Sequence, residues 1–273
     1  MPSPPDDATA ERMRTALQRA TQAFPVAVDG SEETWGWDGR SLSTAVAGGR
    51  WLRLSALPED KAAEASWDGP EVAQKVLSNR VPRPRLHLVH TWLAAGYAYR
   101  AEVYDRLQSP PLSRTALPPA DLQLPDAWWT SLSDALAAVK EVRTDRVAIR
   151  QQRLHWALPR FLEVDINTEV PEWNTAHADI QWSNLVGPEL SILDWERWGL
   201  APTGYDEATL YISSLAAPEV AKQVWRTFEP VLSSPAGRFS QLVVASEFVQ
   251  GMGRGNNMGL KEPLQKQIAR LLR

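Results

Sequence analysis

The chain of 273 residues contains no cysteine. Disulfide bonds, thiolate metal sites and cysteine nucleophiles are therefore excluded. Long apolar runs are missing too, since no stretch approaches the about 18 uninterrupted apolar residues that predict a membrane-spanning helix. The polar first residues lack the basic start and apolar core of a secretory signal, so we expect a cytoplasmic protein that does not bind membranes.

The sequence has no excess of basic residues. Lys and Arg number 29 against 33 Asp and Glu, which gives a formal net charge of −4. Proteins that bind nucleic acids usually carry a basic excess to neutralise phosphates, so the balance argues against that class. A hydrophobic fraction of 44% is typical of a globular protein, and the length suffices for one large domain or two lobes.

Residues 1–105 predict a small α+β lobe. Apolar residues at helical spacing predict an amphipathic helix that ends at Pro25. Over residues 33–55, short strands alternate with Asp-Gly and Gly-Gly, the dipeptides that tight hairpin turns favour. Further strands are predicted at residues 85–92 and 97–104. The expected architecture is a five-stranded antiparallel sheet with one or two helices.

The remainder of the chain is predicted to be mostly helical. A proline-rich connector at residues 108–125 marks the expected boundary, so we divide the chain into lobes at 1–105 and 106–273. Residues 1–30 form a tail and a helix of the first lobe. Apolar spacing in the second lobe predicts several helices, among them Arg146 to Phe161 and Phe239 to Met252.

One short segment of the second lobe carries the pattern H-x-D-x-x-x-x-N. Residues 177–184 read HADIQWSN, and the apolar strand that follows ends at Asp194. A kinase needs one Asp to accept the proton of the attacking hydroxyl, and an Asn and a second Asp to hold magnesium on the nucleotide. A turn at 187–189 predicts a hairpin that returns Asp194 to Asn184. We therefore predict Asp179 as the base, Asn184 and Asp194 as magnesium ligands, and His177 as a brace for the loop.

Phosphate-binding groups are predicted in the first lobe. Arg53 is the basic residue of the third strand, and its guanidinium suits phosphate oxygens, although it can also lie on a solvated strand face. Glu71 is the candidate partner of Arg53, or else it caps its own helix together with Asp68. Gly36 and Gly39 would admit the phosphates, or else serve only the hairpin turn.

The end of the fifth strand predicts the contact with the base of the nucleotide. In a kinase this strand leads into a hinge whose backbone meets the adenine. Here that position corresponds to Glu102, Val103 and Tyr104.

Residues 177–208 resemble the catalytic segment of the aminoglycoside phosphotransferase family, a branch of the protein-kinase-like fold. Members read H-G-D, then Asn five residues after the Asp, Ile-Asp-Trp-Glu, and Tyr-Asp-x-Ala at a helix start. The matching residues are 177–179, Asn184, 193–196 and 205–208. The resemblance implies a bilobal α+β kinase-like fold, ATP or GTP as donor, magnesium as cofactor, and Asp206 as a brace of the catalytic loop. Ala178 replaces the usual Gly, and Arg53 replaces the usual Lys.

Two functions follow from these residues. The first is transfer of the γ-phosphate to a hydroxyl of a small molecule such as an antibiotic or a related metabolite. Acidic residues at 163–172 would attract a cationic acceptor, or else form a solvated face. The second is a nucleotide-binding pseudokinase that acts as a sensor or scaffold, which the Arg53 replacement suggests.

Overall fold

The computed structural model describes residues 3–24, 26–62 and 67–273, without the side chains of residues 30–32. Pro25, the predicted end of the first helix, lies outside the described residues. By its contacts the chain divides into two compact units. Unit 1 is Met1–Gln74 with Pro84–Gln108, and unit 2 is Lys75–Arg83 with Ser109–Arg273. The predicted boundary at residue 106 stays a prediction, since a division by contacts does not test independent folding.

Unit 1 is built on a five-stranded antiparallel sheet of strand order β1-β2-β3-β5-β4, as the sequence predicts. In chain order its elements are α1 (Asp7–Ala23), β1 (Val28–Trp35), β2 (Ser41–Val46), β3 (Arg50–Pro58), α2 (Glu59–Ala62), α3 (Gly69–Val76), β4 (Leu86–Ala94) and β5 (Tyr97–Asp105), with α3 continuing into unit 2.

Helix α1 covers one face of this sheet. Met13 and Leu17, four residues apart on one side of the helix, share a buried cluster with Leu52 and Leu54 of β3 and Val103 of β5. Burying each such side chain contributes about 1.5–3 kcal/mol. Because side chains alternate along a strand, the residues between these apolar ones face the opposite side of the sheet.

The two turns that join the first three strands use backbone with positive φ. Asp38 and Gly39 have φ of 51° and 65°, and Gly48 and Gly49 have φ of 77° and 66°. Glycine adopts these values without a steric penalty, and Asp tolerates them better than most residues. The positive φ that these dipeptides predict is confirmed, but the first connection is longer than a two-residue turn, since a 3-10 turn at Trp37–Gly39 lies between β1 and β2.

Unit 2 is mostly helical. In chain order its remaining elements are α4 (Asp126–Lys140), α5 (Gln151–Leu162), β6 (Trp173–Ala176), β7 (Leu185–Val186), β8 (Ser191–Ile192), β9 (Gly199–Pro202), α6 (Tyr205–Ser214), α7 (Pro218–Leu232), α8 (Pro235–Met252) and α9 (Lys261–Leu271). In the part of the chain that the structure describes, no helix is long and apolar enough to cross a bilayer.

Helix α5 starts later than predicted. The sequence predicted a helix from Arg146 to Phe161, but α5 begins at Gln151. The amide of Leu200 donates to the carbonyl of Arg146 at 2.8 Å, and the amide of Ile149 donates to the carbonyl of Leu200 at 3.0 Å. These long-range bonds keep the backbone before Gln151 extended, which apolar spacing cannot reveal.

Helix α8 starts earlier than predicted. It begins at Pro235 rather than at Phe239, because the hydroxyl of Ser234 accepts a hydrogen bond from the amide of Gly237 at 3.0 Å. Serine before a first-turn proline is a favourable helix start. The apolar pattern marks only the buried part of the helix.

Helix α6 forms the centre of unit 2 and is buried at each of its positions from Tyr205 to Ser214. The hydroxyl of Ser214 accepts a hydrogen bond from the indole of Trp182 at 3.0 Å. Trp182 is fully buried, stacks on Trp128 and packs edge-on against Trp129. This aromatic cluster fixes the segment that follows β6.

Ala178, two residues after the end of β6, has a strained backbone. Its φ is 64°, and its side chain is buried. A left-handed conformation costs an L-residue with a Cβ about 1–2 kcal/mol relative to the ordinary regions. Glycine avoids this cost, which is consistent with the H-G-D that the sequence pattern resembles.

Ala178→Gly should therefore leave the free energy of unfolding within about 0.5 kcal/mol of the wild-type value. Relief of the left-handed strain, about 1–2 kcal/mol, offsets the lost methyl burial and the larger chain entropy of glycine. The matched control is Ala176→Gly in β6, a buried alanine in extended backbone, which should lose about 1–2 kcal/mol. Urea denaturation measures both, and equal losses would contradict the strain at Ala178.

Candidate functional site

The segment at 177–184, which the sequence predicts to be catalytic, is held by a carboxylate at the start of α6. Asp206 accepts hydrogen bonds from the backbone amides of His177, at 2.8 Å, and Ala178, at 2.9 Å. Burial, and then the neighbouring Glu207, raise the pKa of Asp206 to about 7, while the two amides oppose this shift. Asp206 thus braces the loop as the resemblance implies.

His177 is a structural residue. Its ring is buried, which lowers its pKa to about 4, so the imidazole is neutral at physiological pH. Its Nε2 lies 2.8 Å from the carbonyl of Leu193, and since a carbonyl only accepts, Nε2 carries the proton. Nδ1 is then the acceptor for the amide of Asp179 at 3.2 Å. One ring therefore ties the catalytic segment to the residue before Asp194.

The carboxylate of Asp179 is oriented by two side-chain amides. Oδ1 accepts from Gln181 Nε2 at 2.6 Å, and Oδ2 accepts from Asn184 Nδ2 at 3.1 Å. Burial, and then the charge of Asp194, raise the pKa of Asp179 to about 7, although Arg197 opposes the shift. A carboxylate with a pKa near the working pH is well suited to act as a general base.

The predicted hairpin is present and brings Asp194 back toward Asn184. Leu185 of β7 pairs with Ile192 of β8, and the amide of Leu193 donates to the carbonyl of Asn184 at 2.8 Å. Asp194 follows directly in left-handed backbone, with φ of 62°. The position of Asp194 is therefore set by strand register.

Asn184 and Asp194 fit a magnesium ion by their chemistry. The amide nitrogen of Asn184 faces Asp179, so the amide oxygen is the atom that can face a cation. One amide oxygen and one carboxylate are hard donors of the kind that magnesium selects. Among the described residues, no group of three or more His, Cys, Asp or Glu side chains could hold a metal. Phosphate oxygens and water would therefore complete the coordination.

A cavity of about 160 Å³ adjoins Asp179 within unit 2. The residues that line it are Ala116, Ala178, Asp179, Gln181, Arg197, Tyr205, Thr209, Val244, Glu247, Phe248 and Asn257. Glu247 accepts a hydrogen bond from the hydroxyl of Tyr205 at 2.6 Å, and burial raises its pKa. Burial alone would lower the pKa of Arg197, but the neighbouring Tyr205, Asp179 and Glu247 outweigh this effect and raise it. The cavity thus combines the carboxyl groups of Asp179 and Glu247 with the guanidinium of Arg197.

The acidic residues that the sequence offered for a cationic acceptor lie elsewhere. Glu163, Asp165, Glu169 and Glu172 are exposed, and Glu169 lies 3.6 Å from His155. None of them is among the described residues that line the cavity. Sequence reasoning missed Glu247. The signal for it is that α8 carries only two charged residues, Arg238 and Glu247, so a carboxylate stands alone among apolar and neutral side chains.

In unit 1 the predicted phosphate-binding residues join a charge cluster. Arg53 lies 3.8 Å from Glu102, its partner across the β3–β5 pair. Glu71, which the sequence paired with Arg53, accepts instead from Arg100 at 2.9 Å. Arg100 also donates to Glu102 at 2.8 Å. Sequence analysis did not consider Arg100.

The backbone at Glu102 and Tyr104 is paired inside the sheet. Glu102 lies opposite Arg53 of β3 and Val89 of β4. Because β5 has a strand on each side, its N–H and C=O groups are directed to those strands and not to a ligand. The amide of Arg106, just after β5, also bonds to the carbonyl of Gly49. The contact of Glu102 and Tyr104 with a nucleotide stays a prediction.

Gly36 and Gly39 lie in the turn between β1 and β2. A Cβ at Gly36 would come within 2.1 Å of the Ser41 hydroxyl, which would have to rotate away. At Gly39 the positive φ favours glycine, and a Cβ would also meet Pro4 at 2.9 Å. The turn therefore explains Gly39, and the contact of both glycines with phosphates stays a prediction.

No protein-family model and no curated protein matches the sequence.

Solved structures do match over nearly the whole chain. One is a thermostable variant of aminoglycoside phosphotransferase APH(4)-Ia in complex with AMP-PNP and hygromycin B, with a TM-score of 0.60, 14% identity, and coverage of 95% of this chain and 98% of that one. Another is aminoglycoside 2'-phosphotransferase-IIIa with GDP, with a TM-score of 0.61, 13% identity, and coverage of 94% and 99%.

A third match is choline kinase LicA from Streptococcus pneumoniae, with a TM-score of 0.60, 11% identity, and coverage of 94% and 98%. At such low identity the likeness establishes the fold. The chain has the kinase-like fold that the aminoglycoside phosphotransferases and choline kinase share.

Proposed function

We propose that the protein is a small-molecule kinase that transfers the γ-phosphate of ATP or GTP to a hydroxyl group. The observation that carries this proposal is the geometry around Asp179. Its carboxylate is oriented by Gln181 and Asn184 and borders a cavity. The β7–β8 hairpin that follows returns Asp194 to the neighbourhood of Asn184. That combination supplies a base, a place for an acceptor and two metal-binding oxygens.

In the proposed reaction the acceptor hydroxyl points at the Asp179 carboxylate. The hydroxyl oxygen forms a bond to the γ-phosphorus, the bond to the β,γ-bridging oxygen breaks, and Asp179 takes the hydroxyl proton. The nucleoside diphosphate leaves. Holding the carboxylate through two amides fixes its direction before the substrate arrives, which lowers the entropic part of the barrier.

Magnesium is the cofactor that the donor set suits, with Asn184 and Asp194 as its ligands. When bound, it would balance charge on the nucleotide phosphates. The solved neighbours with AMP-PNP or GDP support a nucleoside triphosphate as the donor. In unit 1 we assign the phosphate side to Arg53 with Gly36 and Gly39, and we keep Glu71, Glu102 and Tyr104 as residues that support it.

The cavity beside Asp179 is the proposed acceptor site. Its volume of about 160 Å³ is well below the ~300 Å³ at which pockets for drug-sized ligands begin. It would therefore take a hydroxyl-bearing fragment rather than a whole large antibiotic. Glu247 at its wall suits an ammonium group on the acceptor, and the ring of Phe248 adds a surface on which a cation binds favourably.

Asp179→Asn should lower kcat by roughly 10²–10⁴-fold, because the amide cannot accept the hydroxyl proton. The measurement is magnesium- and ATP-dependent phosphorylation of a panel of hydroxyl-bearing amines and sugars. The control is Asp134→Asn on the exposed face of α4, which should leave turnover unchanged. Undiminished turnover in the Asp179→Asn protein would overturn the assignment of the base. Nucleotide binding without phosphorylation of any acceptor would favour the pseudokinase.

Asp194→Ala should abolish magnesium-dependent turnover. It should also weaken the binding of Mn²⁺ in the presence of nucleotide by at least about 10-fold, because the carboxylate is one of the two proposed protein ligands. Electron paramagnetic resonance of Mn²⁺ measures the second effect without any acceptor. Metal binding that is unchanged by the substitution would show that Asp194 is not a ligand.

Glu247→Gln should raise the KM for a cationic acceptor about 10-fold or more while leaving the KM for ATP unchanged. The amide keeps the shape of the side chain and an oxygen for Tyr205, so the lost charge is the main change. Glu163→Gln tests the exposed acidic segment in the same assay and should have no effect. A larger effect of Glu163→Gln would place the acceptor at that segment instead.

A further inference from the structure

Four charged side chains meet on the face of the β3–β5 pair opposite to α1. Arg53 and Glu102 lie across from each other on β3 and β5, and Arg100 lies two residues before Glu102 on the same face. Glu71 reaches this group from α3. In kinases an ion pair between a strand β3 cation and a helix glutamate must be in place for activity.

Arg100 makes the stronger contacts in this cluster. Its side chain is 7% exposed, and it donates to Glu71 at 2.9 Å and to Glu102 at 2.8 Å. Both are charge-assisted hydrogen bonds of normal length. Burial opposes the charge of Arg100, yet the two carboxylates raise its pKa, so it is cationic in the folded protein.

Arg53 is held more loosely to Glu102. Its side chain is 22% exposed, and its Nη1 lies 3.8 Å from the Glu102 carboxylate, beyond hydrogen-bond length. Glu102 itself is almost completely buried. Arg53 is therefore the more exposed of the two guanidinium groups, whereas Arg100 could meet an anion only by giving up a buried carboxylate.

We propose that the two roles of the kinase strand lysine are divided in this protein: Arg100 is the positioning residue that ties α3 to the sheet through Glu71, and Arg53 is the residue that contacts the nucleotide phosphates. The role of Arg53 rests on the proposed function. The role of Arg100 does not, because it concerns the protein without nucleotide.

Hydrogen exchange of the α3 amides in the protein without nucleotide tests the role of Arg100. Glu71→Gln leaves the buried Arg100–Glu102 pair intact and should speed exchange in α3 by several-fold, since a charge-assisted bond becomes a neutral one. In an Arg100→Lys background, where an ammonium cannot bridge the two carboxylates in the same geometry, Glu71→Gln should add little. In an Arg53→Met background its effect should persist in full.

The reverse pattern overturns the proposal for Arg100. If the Glu71→Gln effect is lost in the Arg53→Met background, or is unchanged in the Arg100→Lys background, then Arg53 is the anchor of α3. This cycle is informative even if the protein binds no nucleotide, so its failure is distinct from failure of the proposed kinase function.

Nucleotide affinity tests the role of Arg53. Arg53→Lys should keep ATP affinity within about 3-fold, because a point charge still serves a phosphate, whereas Arg53→Met should weaken it about 10-fold or more. Exchange in α3 should stay as in the wild type for both variants. Equal ATP affinity of Arg53→Met and the wild type would remove Arg53 from the phosphate site.

Discussion

The candidate site in unit 2 depends on one carboxylate with two hydrogen bonds. Asp206, at the start of the buried helix α6, accepts from the amides of His177 and Ala178 and so fixes where the segment at 177–184 leaves β6. Acidic groups are favoured at a helix N-terminus, where unpaired amides and the helix dipole are positive. The position of Asp179 is thereby fixed relative to α6, which is buried along its whole length.

A second set of hydrogen bonds fixes the position of Asp194 relative to the segment at 177–184. The β7–β8 register and the bond from the amide of Leu193 to Asn184 fix the return of the chain, and the His177 ring bonds to the carbonyl of Leu193. The separation of Asp179 from Asn184 and Asp194 is thus determined mainly by backbone bonds. The reaction proposed for this site relies on positioning, and backbone bonds hold these residues more firmly than flexible side chains could.

The sequence predicted what local patterns encode and missed what distant contacts decide. Positive φ at Gly39 and Gly49 follows from turn chemistry, and the hairpin before Asp194 follows from its apolar strands. The late start of α5 depends on Leu200, and the partner of Glu71 depends on which strand lies beside β3. Glu247 enters the cavity only because α8 packs beside α6. Periodicity within a segment contains none of this information.

The burial of Glu102 favours arginine over lysine as its neighbour. A carboxylate with almost no exposure needs a partner whose charge persists in a poorly solvated place. A lysine can lose its proton when buried, whereas a guanidinium stays charged and offers several donors. One arginine can then satisfy Glu102 and Glu71 together, as Arg100 does, while the more exposed Arg53 lies 3.8 Å from Glu102. The use of arginine where the resemblance leads us to expect lysine is therefore consistent with a carboxylate buried in the sheet face.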